Sequence, residues 1–182
     1  MKSYLALCAI GSDRTGFVDA VSEYLAQRDL NIEESRAAVL GKEFGFLMLI
    51  SGGEEAVRSL IEQKDDFARE AGLAELILCE TEEPEARHLH DALPYELEAT
   101  SLDHPGIVQQ LTAALHRFDV NIESMKTNVV PAPITGTPLF SLTALVYVPT
   151  AVKITALRDA LRVICDRFNI DIAFRPQGAE LR

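Results

Sequence analysis

The chain has 182 residues, 48% of them hydrophobic, which supplies a core for one ordinary domain or for two small ones. Its net charge is −11, and residues 1–90 carry 9 Lys and Arg against 18 Asp and Glu. An acidic chain without a basic stripe repels phosphate backbones, so direct DNA or RNA binding is not expected. No apolar run reaches the ~18 residues that a spanning helix requires, so no membrane association is expected.

In chain order, residues 4–10 form the first apolar run and pass straight into Gly11-Ser12-Asp13. That run reads as a strand rather than a leader, and a cytoplasmic location follows as an expectation. A helix is predicted over about 14–28, with Phe17, Val21, Tyr24 and Leu25 at helical spacing. Residues 31–40 and 44–51 read as strands rich in β-formers. A second helix is predicted over about 54–70, with Val57, Leu60, Ile61 and Phe67 facing inward, and a strand over 73–80. The polar stretch 81–93, bracketed by Pro84 and Pro94, reads as a linker between a first domain (1–80) and a second (94–176). Residues 177–182 are expected to fray.

The second half repeats the first at an offset of 90 residues. Across positions 13–33 eight residues recur: Asp13, Gly16, Val18, Leu25, Asp29, Asn31, Ile32 and Glu33 match Asp103, Gly106, Val108, Leu115, Asp119, Asn121, Ile122 and Glu123. Strands are predicted at 95–101, 121–130, 139–148 and 169–174, and helices with Ile107, Leu111, Leu115 and Phe118, and with Ile154, Leu157, Leu161 and Ile164, facing inward. The order β-α-β-β-α-β therefore occurs twice. It predicts an α+β chain of two ferredoxin-like domains in tandem, each an antiparallel four-stranded sheet with two helices on one face. Strand 95–101 alternates Tyr95, Glu96, Leu97, Glu98, so its open face suits water. Its counterpart has Ala6 and Cys8 at the glutamate positions and is apolar on both sides, which predicts that the first domain's open face packs against something.

The repeated D-x-x-G sits between the first strand and first helix of each copy. A helix start offers unpaired N–H groups and the positive end of the dipole, which suits a carboxylate. Asp13 or Asp103 would take an amino group, and the amides of Asn31 or Asn121 would add contacts. Arg14 and His104, inside the two loops, complete the candidate ligand-binding set. The alternative is purely structural: Asp as a helix N-cap, and Asn tolerating the left-handed conformation after a helix end.

The strings Asp13-Arg-Thr-Gly-Phe-Val18 with Asp29-Leu-Asn-Ile-Glu33, and Asp103-His-Pro-Gly-Ile-Val108 with Asp119-Val-Asn-Ile-Glu123, resemble the ACT domain signature. The first copy has Thr15 where that signature usually has proline, and the second keeps Pro105. The tandem arrangement resembles the glycine cleavage system transcriptional repressor family. That resemblance implies a regulatory module sensing a small amino acid, with a DNA-binding transcriptional activator protein as its partner and a homodimer or higher oligomer as its form. A ligand-independent interaction module with decayed sites is the second reading.

Other constellations are weaker. Cys8, Cys79 and Cys165 show no metal or disulfide spacing and read as small hydrophobes. His88 and His90 lack the remaining ligands of a zinc site. Glu33 and Glu34 read as a solvated edge. No catalytic residue, metal or cofactor is expected. An acylphosphatase-like activity on the same scaffold would need a cationic loop, for which Arg14 is the candidate in the first copy. The second copy also inserts about five residues within 131–138, an extended flap between strands.

Overall fold

A computed structural model describes residues 2–83 and 91–178 of the chain, in two compact units divided between Glu85 and Ala86. The first contains β1 (Lys2–Ser12), α1 (Phe17–Ala26), β2 (Asn31–Leu40), β3 (Glu43–Gly53), α2 (Glu54–Glu62), α3 (Lys64–Ala71) and β4 (Glu75–Thr81). The second contains β5 (Ala92–Leu102), α4 (Ile107–His116), β6 (Asn121–Pro131), β7 (Pro138–Pro149), α5 (Ile154–Phe168) and β8 (Asp171–Pro176). The sheets run β2-β3-β1-β4 and β6-β7-β5-β8, antiparallel at every junction. This is the expected ferredoxin-like α+β arrangement, made twice. Most of the expected linker lies outside the described residues, as do His88 and His90. Thr81 and Ala92 belong to strands, and so do Arg175 and Pro176 next to the expected tail, of which 179–182 also lie outside. No described helix is long and apolar enough to cross a membrane.

Each unit folds around one core between its helices and one face of its sheet. Leu5, Leu7 and Ala9 of β1 meet Phe17, Val21 and Leu25 of α1 and Val57 and Leu60 of α2. Leu97 and Ala99 of β5 meet Ile107, Leu111 and Leu115 of α4 and Leu157 and Leu161 of α5. Burial in β1 alternates although its chemistry does not: Ala6 and Ile10 are exposed between buried Leu5, Leu7 and Ala9.

Three local differences from the sequence reading have physical causes or none visible. The first helices begin at Phe17 and Ile107 because Gly16 and Gly106, in the left-handed region, delay them. The predicted helix over 54–70 is interrupted at Gln63 (φ −95°, ψ 21°), while α5 runs unbroken. No Gly or Pro marks that interruption; past it, α3 lays Phe67 flat on Tyr24, ring centroids 4.3 Å apart. Phe118 is only partly buried, and Ala114 takes the core position instead.

The two copies solve one packing problem differently. A Cβ at Gly11 would lie 2.5 Å from Cζ of Phe17 and 3.0 Å from the Gly72 carbonyl oxygen, so β1 must be bare beneath that ring. The second unit has buried Ser101 at this position and the smaller Ile107 above it.

Replacing Leu60 or Leu157, both fully buried, with alanine is expected to cost about 2–5 kcal/mol in urea unfolding. Val163→Ala, at a position 66% exposed, is expected to stay within about 0.5 kcal/mol.

Candidate functional site

The loops after β1 and β5 are pinned at one point and open beyond it. The Asp13 N–H donates to the Lys42 carbonyl (3.1 Å), and the Asp103 N–H donates to that of Pro138 (3.0 Å). Gly16 and Gly106 then take φ of 81° and 98°. A Cβ at either would meet nothing within 4 Å, so the dihedral, not crowding, calls for glycine there.

Neither α1 nor α4 has a side-chain cap. Asp13 and Asp103 are exposed, and no hydrogen bond to either side chain is present among the described residues. The N-cap alternative therefore fails. The left-handed role at the helix ends falls to Asp29 (φ 56°) and Asp119 (φ 53°), not to Asn31 and Asn121. There the Leu30 and Val120 N–H groups close back on the carbonyls of Leu25 and Leu115.

Arg14 and His104 both reach the end of the second crossover helix. Arg14 Nη2 donates to the Ala71 carbonyl (3.0 Å), and its guanidinium lies 5.3 Å from the Phe17 ring centroid. His104 stacks on Phe168 with centroids 5.7 Å apart. In the second unit the loop borders a cleft of about 530 Å³, lined by Asp103, His104, Gly106, Gln109, Val129 and Phe140 among others. Ile107 forms part of its wall. In the first unit Phe17 stands at that position, edge-on to Phe44 at 5.7 Å.

Asn31 and Asn121 do not join these loops. Asn31 pairs with Ser51, which pairs with Tyr4 near the start of β1, whereas Asp13 follows the end of β1. The ten-residue α1 separates the two ends, about 15 Å at 1.5 Å per residue. No single unit can hold one small ligand with both groups. Asn121 instead lines a second opening of about 470 Å³ with Gln109, Thr112 and His116.

The Asn31 end contains a carboxylate that the sequence reading placed on a solvated edge. β2 bulges between Ile32 and Glu34, and Glu33 at the bulge accepts hydrogen bonds from Lys2 Nζ (2.8 Å), Ser51 Oγ (2.5 Å) and Asn31 Nδ2 (3.1 Å). The Lys2 bond, then those of Ser51 and Asn31, hold the Glu33 carboxyl at about 2. Glu33 and Glu34 are both exposed on the edge strand β2, as expected. Glu123 occupies the same bulge in β6, but Ala92 and Tyr147 replace the lysine and the serine. No group of three or more potential metal ligands is present among the described residues.

Comparison with known proteins shows what the chain is similar to. Residues 3–75 match the ACT domain model. That match covers most of the first unit. The second ACT-like unit repeats its strand order. The whole chain is 27% identical over 168 residues to the glycine cleavage system transcriptional repressor of Escherichia coli K12, covering 92% of this chain and 87% of that protein. The Shigella flexneri protein of the same name matches equally. A solved structure of an unknown protein from Galdieria sulphuraria superposes with a TM-score of 0.77 at 26% identity, covering 97% of this chain and 99% of that one. A structure provisionally described as a glycine cleavage system transcriptional repressor shares the fold at a TM-score of 0.68 and 20% identity, with 96% and 97% covered.

The sequence reading missed the apolar wall of the cleft, Val129 and Phe140. They flank the insertion at 131–138, which was the available signal.

The Glu33 interaction predicts a pH dependence. Its pKa is lowered, so its stabilisation is present above the ordinary value of about 4.3 and is lost as pH falls through about 2. Glu33→Gln removes it. The urea midpoint of the wild type should exceed that of the variant at pH 6, and the gap should close on acidification across that window.

Proposed function

We propose that this chain is a non-enzymatic, cytoplasmic regulator that senses a small amino acid, glycine or one of similar size, and acts on a DNA-binding transcriptional activator by protein contact. The observation that carries this reading is the uncapped start of α4 beside the open cleft. The first-turn N–H groups suit the ligand carboxylate, and the exposed Asp103 carboxylate suits its ammonium group. The acidic chain supports action through another protein rather than on DNA. The Escherichia coli relative, matched over nearly the full chain, is named as a transcriptional repressor of the glycine cleavage system.

We assign binding to the second loop ahead of the first. Asp13 and Gly16 repeat the motif, but Arg14 is held on the Ala71 carbonyl and Phe17 fills the place of Ile107. The same Arg14 contact works against the acylphosphatase reading, since its guanidinium is engaged by the fold.

A thermal-shift screen of the twenty amino acids tests the proposal. A ligand at 100 times its Kd adds about 2.7 kcal/mol, which raises Tm by about 5–10 °C for a chain this long. Asp103→Ala is expected to abolish the shift while leaving the ligand-free Tm within about 2 °C, because Asp103 is exposed. Absence of any shift at 10 mM of each amino acid would overturn the assignment.

A further inference from the structure

The segment joining β6 and β7 has no equivalent in the first unit, where only Gly41 and Lys42 stand between β2 and β3. Its base reaches the cleft. Val129 of β6 pairs with Phe140 of β7, and both line the cleft; two residues further out, Pro131 pairs with Pro138. The Pro138 carbonyl accepts the Asp103 N–H, so the segment and the candidate loop are joined. Beyond the prolines the tip holds its own shape. The Ala132 N–H donates to the Thr137 carbonyl (2.8 Å), and the Gly136 N–H donates to the Ala132 carbonyl (2.9 Å). Ile134 stands at the tip, 97% exposed. No charged residue occurs between Lys126 and Lys153.

We infer that residues 131–138 form a lid, which folds onto the cleft when an amino acid is bound and sets Ile134 against the half-exposed Val129. The lid rests on the reading of the Asp103 loop as a binding site. Three observations support it. First, the cleft of about 530 Å³ is of a size that takes drug-sized ligands, and an amino acid as small as glycine leaves most of it to water. A side chain of the protein's own is needed to fill the remainder. Second, Asp103 is exposed, and an ion pair in open water contributes little. An uncharged segment laid over it excludes water, strengthens the pair and brings no competing charge. Third, the tip is tied to the cleft on two sides, through the Val129 and Phe140 strands and through the Asp103 loop. A single exposed isoleucine means little by itself; this one is carried by a structured insertion at the edge of the cleft. The difference between the copies fits the same logic. Where Phe17 takes the place of Ile107, the first unit keeps a short turn and has no cleft to cover.

The chain contains no tryptophan, so Ile134→Trp places a single indole at the tip of the full-length protein. Its emission is read with glycine, and then with each of the other common amino acids, at 10 mM, beside the Tm of the same sample. The expected result is the emission of a water-exposed indole before addition, and a shift to the blue with whichever amino acid raises Tm. Val163→Trp, at an exposed position of α5, should not respond. In calorimetric titration with the same amino acid, Ile134→Ser should raise Kd about ten-fold and keep the ligand-free Tm. A rise in Tm with no change in the indole emission overturns the lid and leaves the binding site standing. An unchanged Kd in Ile134→Ser does the same. An indole already shifted to the blue before any addition also overturns the lid, since its tip is then covered without an amino acid. No rise in Tm with any amino acid overturns the lid and the binding site together.

Discussion

The backbone conformation at Gly16 and Gly106 is the constraint on which the candidate site depends. A residue with a Cβ pays roughly 1–2 kcal/mol for the left-handed region, and here no crowding accounts for glycine. The turn delays each helix by a residue or more relative to its pattern and lifts the preceding aspartate clear of the capping position. Had the aspartates capped their helices, the same motif would have meant stability alone. The polar character of the loop is thus set by a dihedral angle, and the side chains around it then decide how much room a ligand has.

Chain direction imposes the second constraint. A β-α-β crossover returns the chain to the far end of the sheet, so residues twenty positions apart in one repeated motif are separated by a full helix. The Asn-Ile-Glu segment therefore has its own local work. In the first unit it makes a bulge whose carboxylate gathers an ammonium, a hydroxyl and an amide donor, tying β2 to β1 and β3. In the second the bulge persists but its lysine and serine partners are gone. Shared motif residues need not keep shared partners after duplication.

Much of the fold was legible because periodicity is written in side chains that end up buried. Phe17, Val21, Tyr24 and Leu25 announce α1, and the offset of 90 residues announces the second copy. The break at Gln63 was not legible, since no Gly or Pro signals it. The loop residues Asp13, Gly16, Asp103 and Gly106 were identifiable from their recurrence. That Asn31 stands apart from them follows from topology, which a motif read as a line of letters conceals. Glu33 lies on an exposed edge strand, as its pattern suggested, but its hydrogen bonds to Lys2, Ser51 and Asn31 were not legible, since they depend on the local bulge in β2.

The exchange of Gly11 and Phe17 for Ser101 and Ile107 bears on how the two halves can evolve. Duplicated segments within one gene tend to be overwritten by one another through recombination. A crossover falling between strand and helix here would set a serine under a phenylalanine ring, at a spacing already occupied by the ring itself. That hybrid is disfavoured from the start, whereas the reciprocal one, a glycine beneath an isoleucine, brings no such clash.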